Sequence, residues 1–279
     1  MVTASNEKHR HHVIPKHYLK GFARPDNAHQ VFLYHRGVRF SPGGHGHERK
    51  NPRSRPIDDV SVVEDFYSLP AEDGALDSST YEDGLAKIEE EGAAILRIIR
   101  AGERISIPQK AAFTKYLIMM NLRTHKRMRN LPLLLESNIA KFEAESDPRL
   151  HPMIRSLAPE VEAEYRLKSL LGDMPRCRQA LYAMNWQFLT APNDVAFVTS
   201  DAPMYLNGLR KRNDIALFPI SSRYCLKVTH ETNNNLGYAK AAAALVREIN
   251  LFVCRHCLEE VYAPMDDREL LEFLDLAPL

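Results

Sequence analysis

Apolar residues change their spacing twice along this chain, and that change limits the folds open to it. Between residues 80 and 184 they recur every three or four positions, the period of a helix face. On either side they come in short β-branched and aromatic runs, closed by Pro, Asn, Asp, Gly or Ser. QVFLYHRG (Gln30–Gly37) and VSVVEDFYSLP (Val60–Pro70) read as strands at one end. WQFLTAP, VAFVTS, IALFPIS and YCLKVTH do so beyond Asn185. FSPGGHGHERKNPRSRP has no period and is expected to be loop. The pattern predicts an α+β fold, with a helical middle segment flanked by β-containing N- and C-terminal parts in a single compact domain. Residues 1–10 are expected as a flexible N-terminus, 11–265 as the domain and 266–279 as a C-terminal helix.

The helical middle carries its own start and stop signals. Leu85, Ile88, Ala93, Ile95 and Ile98 share a face in a helix opened by Ser79 or Thr80 and ended by Gly102. Ser106 is placed to cap the next helix, read through Asn130, with Pro108 in the first turn, where a missing N–H costs nothing. Two further helices are expected over LPLLLESNIAKFEAES and over PEVEAEYRLKSLLGDMPRCRQALYAMN, the latter broken at Gly172–Pro175. Alanine dominates YAKAAAALVREINLF, which predicts a helix running into extended chain near VYAP; DDRELLEFLDL closes as a short helix.

At 279 residues, with 44% hydrophobic and 26% charged residues, the chain has enough apolar material for a substantial core. No apolar run approaches the ~20 residues that cross a bilayer. The start, MVTASNEKHRHH, lacks the apolar segment of a secretory signal, so a cytoplasmic chain is expected. The four cysteines, at 177, 225, 254 and 257, show no disulfide spacing. Cys254 and Cys257 form a lone CxxC, read as buried structural thiols ahead of a zinc or redox pair.

Charge is distributed unevenly. Residues 1–56 hold eleven Lys or Arg against three acids, leaving 26 basic and 33 acidic residues for the remainder. Eight of the twelve histidines also precede residue 48. A basic, histidine-rich segment on an acidic body suggests nucleic acid or another phosphate-bearing partner. The alternative is that the two parts simply attract one another.

Three constellations carry chemistry. HHVIP (His11–Pro15) locally resembles the His-His-Ile-x-Pro element of HNH nucleases. That resemblance makes His12 the general base and His11 a metal ligand, with a further ligand from His35, His45, His47 or Asn51. FVTSDAPMYLN (Phe197–Asn207) delivers Ser200 and Asp201 to a turn, where functional groups are commonly displayed and where both residues are also ordinary turn formers. NLRTHKRMRN (Asn121–Asn130) clusters Arg123, Lys126, Arg127 and Arg129 at a helix end, where cations complement the helix dipole. Of these, Arg123 follows the apolar face and is placed to reach inward to a carboxylate or phosphate. Glu82 and Glu89 lie seven positions apart on one helical face.

The order of these motifs resembles the family called domain of unknown function 4238. Its His-x-x-Pro-x-x-Tyr-Leu-x-x-Phe signature is matched by His12, Pro15, Tyr18, Leu19 and Phe22. The YHR strand, EDFYS, KIE (Lys87–Glu89), the Arg123–Thr124 pair, Trp186, FVTSDAP, FPIS and Asn250 follow in order. This wider pattern absorbs the HHxxP piece and weakens the HNH analogy. The family is mainly bacterial and without an assigned activity, so the resemblance implies a relative and supplies no reaction.

Together these readings predict a phosphodiesterase or nuclease. His12, Arg123, Ser200 and Asp201 would be catalytic, and Lys16, Tyr18 and Arg36 would hold substrate. His11, Asp201 and Glu89 would bind a divalent metal ion. The alternative is a non-catalytic binding or regulatory domain in which the same residues form a hydrogen-bonded knot.

Overall fold

The computed structural model describes residues 10–37, 52–64, 69–70, 76–77, 79–170, 174–231 and 236–276. The chain opens with β1 (Arg10–His12) and, after Pro15, the single-turn helix α1 (Lys16–Leu19). Strands β2 (Gln30–His35), β3 (Arg53–Pro56), β4 (Val62–Glu64), β5 (Leu69–Pro70) and β6 (Leu76–Asp77) follow. The helical middle comprises α2 (Ser79–Arg100), α3 (Ile107–Leu122), α4 (His125–Glu145), α5 (His151–Leu170) and α6 (Pro175–Ala183). Beyond it come β7 (Asn185–Thr190), β8 (Thr199–Ser200), β9 (Tyr205–Leu206), β10 (Ile215–Pro219), β11 (Tyr224–Thr229) and β12 (Gly237–Lys240). Helix α7 (Ala243–His256), β13 (Glu260–Ala263) and α8 (Glu269–Asp275) complete it, so the α+β arrangement expected of the sequence is the observed one.

Two sheets organise the strands. The first has the order β12-β7-β11-β10-β9 and is antiparallel except where β12 runs parallel to β7. The second, β3-β2-β13-β8, joins the N-terminal strands to the C-terminal ones. β3 corrects the loop expected over this stretch: Arg53–Pro56 pairs with Gln30–Leu33, although nothing in RSRP alternates. Its strand character comes from the partner rather than from its own side chains. His45, His47 and the rest of residues 38–51 lie outside the described residues, as do 65–68 of EDFYS and Gly172.

The helix signals hold at the starts of α2 and α3 and fail at later boundaries: α4 and α5 begin ahead of the expected Leu131 and Pro159, and Tyr238–Lys240, expected to open a helix, belongs to β12, so that α7 starts only at Ala243. Ser106 caps α3 through a reciprocal box, its Oγ accepting from Gln109 N while Gln109 Oε1 accepts from Ser106 N at 2.7 Å. The helix read as continuous through Asn130 instead stops at Arg123, and α4 starts two residues on. Among the described helices none is long and apolar enough to cross a membrane.

The signature that opens the chain is mostly core. Ile14, Tyr18, Leu19 and Phe22 are fully buried among Leu85, Ile95, Phe113, Tyr116, Trp186 and Phe218. Gly92 lets α3 approach α2, since a Cβ there would collide with the Tyr116 ring. A second cluster packs Tyr34, Val253, Cys254, Val261, Leu270 and Leu274, seating α8 on α7. Cys225, Cys254 and Cys257 are buried free thiols, whereas Cys177 is exposed.

Candidate functional site

Two polar centres emerge from this scaffold. The first lies where α1, α2 and α3 meet. The α1 turn carries no side-chain cap; its carbonyls are satisfied instead by Arg100, the last residue of α2. Arg100 Nη1 donates to His17 O at 3.0 Å, and Nη2 donates to Tyr18 O and Ile220 O, each at 2.9 Å. Gly21 makes room for that guanidinium, which a Cβ would strike. The helical turn thus presents His17 outward while Tyr18 points into the core.

Glu89, halfway along α2, faces His17 from one side and Arg123 from the other. Arg123 Nη1 donates to Glu89 Oε1 at 2.6 Å, with the arginine side chain fully buried and the glutamate 30% exposed. His17 Nδ1 stands 4.0 Å from Glu89 Oε2, and His17 Nε2 lies 3.1 Å from the Tyr116 hydroxyl. Burial of Tyr116 drives its ionisation far upward, so the hydroxyl remains a donor. The neutral His17 tautomer that suits both neighbours accepts from Tyr116 at Nε2 and turns its Nδ1 proton toward Glu89.

The electrostatics agree with a neutral ring. Burial lowers the His17 pKa to about 4; Glu89 opposes that, while Arg123, Arg100 and Arg97 reinforce it. Among the described residues, the charges that act most on this imidazole are the Glu89 carboxylate and the guanidiniums of Arg123, Arg100 and Arg97.

The second centre is an acidic cleft of ≈ 240 Å³ between the Asp59–Val62 turn and the Leu258–Tyr262 segment, with Asp201 in its wall. Asp201 accepts three backbone N–H bonds, from Leu258 (2.9 Å), Glu259 (2.7 Å) and Glu260 (3.1 Å). Burial raises the Asp201 carboxyl despite those donors, and Glu260 is raised by burial and by Asp201 beside it. The Tyr262 hydroxyl donates to Glu260 Oε2 at 2.5 Å. Ser61 supports the cleft from a left-handed backbone (φ 54°), its Oγ accepting from Ile14 N at 3.0 Å.

The residues singled out in the sequence fall into separate places. His12 sits on β1 opposite Val62, its pKa lowered first by burial and then by Lys16. His11 pairs with Val63 one residue away. Lys16 is half exposed and bound to Asp58 at 2.6 Å.

Several expected roles are corrected by the geometry. Tyr18 cannot contact substrate: it is fully buried, its hydroxyl donating to Pro219 O and accepting from Thr199 Oγ1, both at 2.7 Å. Arg36 is a clamp, donating to Leu274 O (2.8 Å), Leu276 O (3.1 Å) and Cys254 O, which ties down the ends of α7 and α8. Ser200 bonds locally to both N and O of Ala202 and is buried. Asp201 spends its carboxylate on amides. His11, Asp201 and Glu89 do not assemble: among the described residues no three His, Cys, Asp or Glu side chains are placed to share a metal ion. The side chains of Glu82, Lys126, Arg127 and Arg129 lie outside the described residues.

His17, Tyr116 and Arg100 belong to the first centre and were not singled out from the sequence. His17 is one of six histidines between Lys8 and Gly37, and Tyr116 sits at helical spacing among the apolar residues Phe113, Leu117 and Met120. The available signal was the pairing of a polar residue with a buried-face one, His17 next to Tyr18, in a turn too short to hide both.

A family model described as "Protein of unknown function (DUF4238)" matches residues 10–267. No curated protein and no solved structure matches the chain.

Proposed function

Because the chain belongs to the DUF4238 family, whose description assigns no reaction, we propose from its geometry that it hydrolyses phosphodiesters, nucleic acid being the substrate class, with His17 as the proton acceptor. One observation carries this reading: a neutral imidazole, oriented by Glu89, stands in the field of the Arg123, Arg100 and Arg97 guanidiniums. A phosphate entering that field is attracted by it. Once bound, its negative charge raises the basicity of His17 from about 4 toward the range where an imidazole accepts protons near pH 7; Nε2 then exchanges its Tyr116 hydrogen bond for the proton of an attacking water, whose oxygen bonds phosphorus as the ester oxygen leaves with a proton from solvent. Glu89 then stabilises the imidazolium that forms, and Arg123 holds Glu89 in place. The excess of basic residues before residue 57 supports the same partner.

A second reading, a non-catalytic binding or regulatory domain, is favoured by the internal saturation of Tyr18, Ser200, Asp201 and Arg36. Cleavage assays with single- and double-stranded DNA and RNA, and with bis(p-nitrophenyl) phosphate, separate the two. Hydrolysis that falls about 100-fold or more in His17→Ala, with the Tm nearly kept, supports the enzyme. No hydrolysis of any probe by the wild-type chain, or hydrolysis indifferent to His17→Ala, overturns it.

A further inference from the structure

Helices α4 and α5 form an antiparallel hairpin, joined to the body through α3. One face of the hairpin is polar apart from Leu133: Arg155 reaches across to Glu143 at 2.8 Å and Glu136 at 3.3 Å. The opposite face is not. On α5, Met153, Leu157 and Val161 recur every four residues, and Leu150 precedes them by three, which makes one continuous stripe. His151, Ile154 and Ala158, by contrast, are the less exposed positions that face α4. In an antiparallel pair, residues turned to the same rotational side of the contact line share a face of the hairpin. Arg155, Glu136 and Glu143 share one; Leu134 and Phe142 of α4 share the other with the α5 stripe.

These six side chains are 43 to 64% exposed. They present on the order of 600 Å² of apolar surface, at the top of what a monomer normally leaves open. A stable interface covers ~800 Å² per partner, about 65% of it apolar in homodimers, or ~500 Å². The stripe therefore supplies the apolar area that a homodimer needs. Among the described residues its middle is uncharged, interrupted by Asn138 between Leu134 and Phe142, and Glu145 stands at the α4 end of it. A patch that meets its own copy across a two-fold axis must not repel itself, and the uncharged middle meets that condition. Its rim holds both signs, with Lys141 beside Glu145 and Glu160.

We infer that two copies of the chain associate through this face, hairpin against hairpin, as a two-fold symmetric four-helix assembly. Sedimentation equilibrium and light scattering of the full chain between about 5 and 100 µM, a range bracketing ordinary homodimer affinities, test it. The expected mass is twice 31.9 kDa. Leu157→Glu and Phe142→Glu each shift the dimer to monomer, raising the Kd at least ~100-fold while leaving the far-UV circular dichroism of the folded chain unchanged, because both side chains are already exposed. A 31.9 kDa species at the highest concentration, or a dimer that neither variant weakens, overturns the inference. A monomer that co-sediments with phosphatidylcholine–phosphatidylserine vesicles and loses that binding in Leu157→Glu also overturns it, in favour of a lipid surface.

Discussion

Arg123 and Glu89, 34 positions apart, are joined at 2.6 Å although one side chain is fully buried and the other is open to water. A guanidinium without solvent depends on its carboxylate, whereas a carboxylate that water can reach does not depend on it equally. The bond is symmetric in geometry and asymmetric in consequence.

Glu89→Ala therefore costs more stability than Arg123→Met. Removing the carboxylate takes the 2.6 Å ion-pair partner from a buried cation, a loss of roughly 3 kcal/mol, at the low end for buried pairs because Glu89 is partly hydrated. Methionine fills much of the arginine's volume and leaves Glu89 to solvent, at roughly 1–2 kcal/mol. The double variant recovers most of the difference. Urea unfolding of all four proteins measures this, and strictly additive losses count against the asymmetry.

Asp201→Asn is expected to destabilise by roughly 2 kcal/mol. The amide keeps one acceptor but turns an NH₂ toward a site where Leu258, Glu259 and Glu260 all offer N–H groups. Hydrogen exchange at those three amides rises before exchange elsewhere in β13. Unchanged protection there means the carboxylate does not hold the turn.

Stability falls on acidification through His17. Its folded pKa of about 4 lies below the ordinary 6.5, so between these values the unfolded chain takes up a proton that the fold refuses. The contribution is complete above pH 6.5 and is lost as the pH drops toward about 4. Asp201 and Glu260, both raised by burial, act with the opposite sign, since acid relieves two crowded carboxylates. Urea midpoints at pH 7.5 and 5.0 are expected to differ less in His17→Asn than in the wild type. An equal drop in both assigns the acid sensitivity elsewhere.

Much of the architecture could be read from local chemistry. The Ser106 box and the β10 and β11 runs each state their structure within a few residues, whereas the alanine-rich stretch states α7 but hides that Tyr238–Lys240 pairs with β7 as a strand. What could not be read depends on distant partners. RSRP becomes a strand because β2 offers it an edge. Asp201 looks like an ordinary turn residue whether it catalyses or holds amides 57 to 59 positions away, and Ser200 whether it catalyses or bonds to Ala202. His12 and His17 differ only in what faces them, and the Glu89–Arg123 pair that distinguishes His17 lies beyond any local pattern. The break at Arg123 was hidden for a related reason: that residue's side chain is drawn inward to α2 just where the helical period would have carried it on.

The Tyr18 hydroxyl spans both sheets, meeting Thr199 of one and Pro219 of the other across 181 and 201 positions. During synthesis at roughly 5–20 residues per second, the first helical turn must wait about 10–40 s for those strands to leave the ribosome. Until then Ile14, Tyr18, Leu19 and Phe22 have no finished core to enter. Nascent chains should accordingly recruit chaperones through residues 14–22 and release them only once Thr199 and Pro219 have emerged.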